Sequence, residues 1–244
     1  MAKRFLDNSD LAERINIARG QVLNTSHIHK FGAVPSMSTG TTGTIWDVDD
    51  TVYPWATWET PGVLTIPAVN AADNGNKVIV QGLDENFNLT EEEFTLSSST
   101  TVTGTKTFSR VYRAYYYDNT TNAGDINIQR SGTTVARITA GKAQTLMAVY
   151  TVPAGYTAYL TQGTTSIQYG GDATLDMFVR YHGQLSFRIG HSGEVAGTGM
   201  PYHYEFSVPI AIPEKSDIDV RTSVRSNNAR VTAAFDLILI RDAE

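Results

Sequence analysis

The sequence contains no cysteine. That excludes a disulfide framework, a thiolate nucleophile and any cysteine-based zinc or iron–sulfur site. Charge is scarce as well: 18% of the residues are Asp, Glu, Lys or Arg, and the net charge is −6. A net acidic chain is a poor non-specific nucleic-acid binder, because such binding needs a basic face to displace phosphate counterions. No apolar run approaches 18 residues, so no membrane span is expected. The opening MAKRFLDNSD lacks an apolar stretch, which predicts no signal peptide. Also missing are G-x-x-x-x-G-K-[ST], G-x-G-x-x-G after a strand, G-x-S-x-G and H-E-x-x-H. The phosphate-loop, dinucleotide, serine-hydrolase and zincin chemistries therefore have no motif to work through, and no cofactor is expected.

Threonine, serine, glycine and asparagine are abundant, and leucine, lysine and glutamate are sparse. Thr is β-branched and sits well on the exposed face of a strand. Gly and Asn supply the positive-φ positions of tight turns. A chain of 244 residues can bury roughly 70–75% of its unfolded surface, so a core forms without staples.

The first segment reads differently from the rest. Asp10 can open a short helix running to about Arg19, with Glu13 three residues on in capping-box style and Gly20 as the stop. Leu11, Ile15 and Ala18 recur at helical spacing. Ten residues are too few for a stable free helix, so it either packs on its own domain or orders on a neighbouring subunit. Residues 32–44 are small, polar and Gly-rich and read as a linker. The expectation is an arm over residues 1–44 and a β region over 45–244, with a possible subdivision near residue 140.

From residue 45 short β runs alternate with turn signals. Thirteen are legible, among them Lys77–Leu83, Phe108–Asp118, Tyr156–Ser166, Tyr202–Ile212, Ile218–Arg225 and Arg230–Arg241. Their close spacing, with no helical pattern between, predicts an all-β antiparallel sandwich or jelly roll, or two sandwiches. Ile218, Val220, Thr222 and Val224 share one face of a strand, and Asp219, Arg221, Ser223 and Arg225 the other, which reads as half-buried. Asn227-Asn228 then suggests a hairpin into the last strand. That strand carries Phe235, Leu237 and Leu239 on one face and Ile238 and Ile240 on the other, so both faces need a cover.

The candidate sites are few. Asp47, Asp49 and Asp50 resemble the start of a calcium loop, but Trp58 stands where a bidentate Glu would be, so a turn-forming acidic loop is the better reading. His27 and His29 form an H-x-H pair, and a metal there would need a third ligand from elsewhere, so no metal site is assigned. Glu91-Glu92-Glu93 suits an edge strand protected by charge; a glycosidase pair would need acids converging from different elements. Trp46, Tyr53, Trp55 and Trp58 form an aromatic cluster that could be core, interface anchor or carbohydrate platform. Tyr112, Tyr115, Tyr116 and Tyr117 invite the same readings. The expected interface residues are Leu11, Ile15, Ile28 and Phe31 of the arm, Trp46, Trp55 and Trp58, and Leu237 and Leu239 of the last strand.

Five segments carry a resemblance: IHKFGAVPSMSTGTTGTIWD (28–47), KVIVQGLDENFNLTEEEFTL (77–96), FSRVYRAYYYD (108–118), QTLMAVYTVPAGYTAYLTQ (144–162) and PEKSDIDVRTSV (213–224). They resemble a family of β-rich virion proteins of tailed, often marine, bacteriophages. The resemblance implies a jelly-roll-containing, non-enzymatic structural component of the particle, assembled in the host cytoplasm. It implies a homo-oligomer, such as a trimer, that docks on the major capsid protein or other virion proteins. A capsid decoration or cement role leads. A tail, adaptor or receptor-binding role with a host-glycan surface is the alternative, and a glycan-degrading enzyme is a distant third.

Overall fold

The computed structural model describes residues 10–118, 120–168, 171–195, 201–225 and 228–243. Helix α1 (Asp10–Ala18) precedes β1 (Thr25–Met37), β2 (Thr42–Thr44), β3 (Thr65–Ile66), β4 (Lys77–Leu83), β5 (Leu89–Thr95), β6 (Val102–Thr103), β7 (Arg110–Tyr116) and β8 (Ile126–Arg130). There follow β9 (Thr133–Ile138), β10 (Val149–Thr151), β11 (Tyr156–Gln168), β12 (Ala173–Arg180), β13 (Arg188–Val195), β14 (Tyr202–Ile212), β15 (Asp217–Val224) and β16 (Ala229–Arg241). The helix stops where the sequence expects. Gly20 takes φ +65°, and Gly20 N and Gln21 N donate back to Ile17 O and Asn16 O at 2.9 and 2.8 Å.

The outer segments of the chain build a two-sheet sandwich. One sheet has the order β1-β16-β11-β14 and the other β10-β15-β12-β13, with β2 also paired to β15. β2 meets Arg221–Ser223 of β15 and β10 meets Asp217–Asp219, so both lie along β15 as two pieces of one interrupted strand. Counted as one, they make eight antiparallel strands in the orders 1-8-3-6 and 2-7-4-5, which is the jelly-roll arrangement. Alternation fills the interior: Val231, Phe235, Leu237 and Leu239 of β16 face Leu175, Met177, Ile218 and Val220 of the opposing sheet across a fully buried core.

Residues 46–147 form a second β unit inserted into that interrupted strand. Its sheets are β6-β3-β8-β9 and β5-β4-β7, with a separate core around Trp46, Leu64, Val80, Phe94, Phe108 and Ile128. The neck is two antiparallel segments. Ala148 N donates to Ile45 O at 2.9 Å, Ile45 N to Val220 O at 2.8 Å, and Trp46 bridges Met147. Gly32 of β1 lies directly beneath. A Cβ there would stand 2.2 Å from Ile45 O and 2.5 Å from Ala148 N, so only glycine lets the neck cross.

Three expectations are corrected. The arm over 1–44 and linker over 32–44 contain a 13-residue strand, because β1 pairs with β16 from Thr25↔Ile240 to Met37↔Ala229. Its small residues allow close approach and do not mark flexibility. The subdivision near 140 falls close to the second neck segment, but the second unit is an insertion between residues 45 and 148, not a consecutive half. The expected hairpin between β15 and β16 is a crossover, since those strands lie in different sheets. Asn228 does take φ +61°, so the turn chemistry is as read and the partner is not.

This pairing generates a truncation test. Removing residues 1–20 should shift the thermal midpoint by only a few degrees, because it deletes a helix on the outside of a sheet. Removing residues 1–31 deletes most of an edge strand and exposes the backbone of β16. That variant should show no cooperative melt by circular dichroism.

Candidate interaction surfaces and the buried charge cluster

The outward face of β15 carries Asp217 and Asp219, yet they are 2% and 0% exposed. The inserted unit covers them. Arg110 of β7 reaches across, with Nε donating to Asp217 Oδ1 at 2.7 Å and Nη2 to Oδ2 at 3.0 Å. Arg180 of β12 donates to the same Oδ2 from Nη2 at 2.6 Å, and Thr151 Oγ1 donates to Oδ1 at 2.7 Å. Asp219 accepts from Thr44 Oγ1, from Trp55 Nε1 of the inserted unit and from Arg221 Nε, each at 2.8 Å. Burial pushes the Asp219 carboxyl up, against the pull of Arg221, Trp55 and Thr44. The guanidiniums also lie over rings: Arg180 stands 4.7 Å from the Phe187 centroid and Arg110 5.8 Å from that of Trp55.

The cluster is structural, and every charged group in it is bound to another. The three tryptophans expected at an interface belong here or just beyond. Trp46, Trp55 and Trp58 are 2%, 7% and 4% exposed in the inserted unit's core, packed with Tyr53. They lie at the junction of two units of one chain and are not available to a second chain. Tyr116 is likewise buried, Tyr112 packs 5.2 Å from Tyr150 across the same junction, and Tyr117 is exposed.

The other sheet's outer surface is where α1 lies. Arg14 Nη2 donates to Glu205 Oε1 at 2.8 Å, and Ile15 and Ile17 are half-buried. The helix packs on its own domain. Beneath it, His27 Nε2 and His29 Nδ1 stand 3.1 and 2.6 Å from one oxygen of Asp236, and Gln162 Nε2 donates to the other oxygen. Burial would raise the Asp236 carboxyl, but the hydrogen bonds from Gln162 and His29 and the nearby imidazoles outweigh it and hold it below its ordinary range. The H-x-H pair thus shares a face as expected and is engaged with one carboxylate. Among the described residues no group of three ligating side chains is arranged to hold a metal ion.

Leu237 and Leu239 are 0% and 1% exposed inside the jelly roll, so they are core and not contacts. The second apolar face of β16 is only partly covered: Ile238 is half-buried beside α1 and Ile240 is 41% exposed. Ile28 is half-buried against the roll's core, and Phe31 is half-buried with its ring 5.6 Å from that of His29. The side chain of Leu11 lies outside the described residues. Glu91, Glu92 and Glu93 lie on β5, an edge strand, and their partners are local: Gln81, the loop amides of Thr105 and Lys106, and Lys77. Asp49 and Asp50 tie down their own turn through Thr51 and Ser38. Exposed apolar side chains not foreseen from sequence include Leu23, before β1, and Leu185, Val208 and Ile189, on and beside the edge strands β13 and β14.

At the neck, Asp47 is buried. Thr139 Oγ1 donates to its Oδ2 at 2.7 Å, and its Oδ1 has no hydrogen-bond partner. Burial pushes this carboxyl up to about 6, against the hydrogen bond from Thr139 and the charge of Arg137.

No known family model matches this chain, and no curated protein does. Among solved structures, that of the infectious bursal disease virus Gt strain aligns over 90% of this chain and 78% of its own, at 10% identity and a TM-score of 0.23. The infectious bursal disease virus VP2 subviral particle aligns over 89% and 72%, at 11% identity and a TM-score of 0.23. Scores of this size carry no fold correspondence, and the jelly-roll order stands on strand pairing alone.

Two predictions test the buried acids. Asp217→Asn weakens the partner of two buried guanidiniums and should cost about 3–5 kcal/mol by urea denaturation. Asp47 has the opposite sign. Its folded form keeps a proton that the unfolded chain has already released between about pH 4 and 6, so it loses stability as pH rises through that window. Asp47→Asn should therefore be more stable by about 1–3 kcal/mol at pH 7–8, with the difference vanishing below pH 4.

Proposed function

We propose that this chain is a structural, non-enzymatic protein of a tailed-phage virion. Its leading role is decoration or cementing of the capsid, as a homo-oligomer such as a trimer docked on the major capsid protein. The observation that carries this reading is the eight-strand jelly roll with a second β unit inserted into its second strand. Jelly rolls serve as capsid, lectin and cupin scaffolds. A cupin uses the interior of the roll, and here Phe235, Leu237, Leu239, Leu175 and Met177 fill it. The resemblance of five segments to phage virion proteins favours the capsid use over the lectin one. Fold alone does not fix function, so the test must locate the protein.

The architecture suits such a role. The roll presents edges at β13 and β14, where Ile189 and Val208 are exposed. Pro209 and the irregular register of β14 opposite Leu160–Gln162 make that edge a poor template for open-ended strand pairing. A component displayed in many copies needs this protection against uncontrolled stacking.

Antibody raised against the purified chain, applied to particles whose genome encodes it and viewed by immuno-electron microscopy, should label heads. Label confined to tails would replace decoration with the tail or receptor-binding role. Absence of the chain from purified particles by mass spectrometry would overturn the virion reading.

A further inference from the structure

β1 is an edge strand, and its Lys30 points towards the inserted unit across a pocket. Facing Lys30 are Gln81, Arg113, Gln144 and Thr145. Lys30 is only 7% exposed, although an ammonium is among the costliest groups to bury alone. One of its three N–H donors is used, on the carbonyl oxygen of Tyr112, and the Tyr112 ring centroid is 5.9 Å away.

The other groups in the pocket do not balance that charge. Arg113 Nη2 donates to Gln144 Oε1 at 3.3 Å and its guanidinium stands 5.3 Å from the Tyr115 ring. Thr145 Oγ1 accepts from Ala114 N, which leaves its own proton to donate. Among the described residues no ion pair joins Lys30 or Arg113 to a carboxylate. Glu91, the acid on this side, is engaged by Gln81 at 3.2 Å, and Asp236 is engaged by His27, His29 and Gln162 on the outer face of the roll. Burial, and then the charge of Arg113, pull the Lys30 amine down to about 7. The pocket is thus lined by the basic side chains of Lys30 and Arg113, by His27 and His29, whose rings reach Asp236, and by hydroxyl and amide donors, and no acid lines it.

We propose that this pocket is a binding site for a small oxyanion, a carboxylate or phosphate group, seated on Lys30 and Arg113 with Thr145 and Gln144 as neutral donors. The oxyanion restores to Lys30 the charge partner that the fold withholds, and it joins the jelly roll to the inserted unit. It can be supplied free in solution or by an acidic side chain of another subunit, with the same chemistry in either case.

The test compares thermal melts of the full chain at pH 7 and constant ionic strength in chloride, acetate and inorganic phosphate. At about ten times the dissociation constant, acetate or phosphate should raise the midpoint by roughly 3 °C over chloride. Lys30→Met should abolish that difference. Arg113→Gln, at an exposed position, should at least halve it and guards against a Lys30 variant that fails to fold. Sedimentation in the same buffers separates the sources. If a neighbouring chain supplies the carboxylate, acetate should dissociate the oligomer and Lys30→Met should weaken it; a free ligand leaves assembly unchanged. Equal midpoints in all three salts together with assembly indifferent to acetate, or an anion response retained in both variants, would overturn the proposal.

Discussion

Asp217 and Asp219 are the charges on which the rest of the molecule is built. They sit two residues apart on one strand, on the face that a lone sandwich would leave in water. Here they are buried beneath a second unit, and each is satisfied from both sides of the junction. Taking two carboxylates out of water costs several kcal/mol per ion. The position is tolerated because Arg110 and Trp55 come from the insertion while Arg180 and Arg221 come from the roll. Removing Arg110 and Trp55 would strip each buried carboxylate of its partner from the insertion, so the cluster fixes where the inserted unit can sit.

The neck meets the same requirement by backbone means. The second strand of the roll breaks at Ile45 and resumes after Ala148, and the two ends bond to each other and to Val220. An insertion at this place leaves the order of the sheets untouched, because both pieces remain on β15. It demands that β1 lie close beneath the neck, hence glycine at position 32. Opening the roll within its second strand thus displays a second unit without giving up any jelly-roll pairing.

The junction also has groups that are not settled within the chain. Asp47 is held above its ordinary range by burial, and Lys30 is buried with a carbonyl for company and no carboxylate. Such groups weaken a fold and are kept where something else is gained. They occur where the two units meet, which is where a ligand or a neighbouring subunit would act on both at once.

Much of the fold was legible in the sequence. Lys77–Leu83 and Tyr202–Ile212 are strands at the limits their alternation gives, and helix α1 ends where Gly20 ends it. Alternation is local, since it reports which side chains share a face over a few residues. It put Ile218, Val220, Thr222 and Val224 together, and all four are buried. It could not say that Asp217 and Asp219 opposite them are buried too, because their cover comes from Arg110 and Trp55, more than a hundred residues away. For the same reason Trp46, Trp55 and Trp58 read equally well as anchors or core, and Leu237 and Ile238 as two faces in need of covers of unknown origin. β1 does not read as a strand because Gly32 and Ala33 lie against the neck that crosses it and Pro35 and Ser36 fall where its register with β16 is irregular. The amino-acid order therefore determined the class of structure and most strand positions, through side-chain periodicity and turn chemistry. Which faces are buried, which charges meet and where the inserted unit docks were decided only by tertiary structure, because burial depends on partners brought from distant parts of the chain.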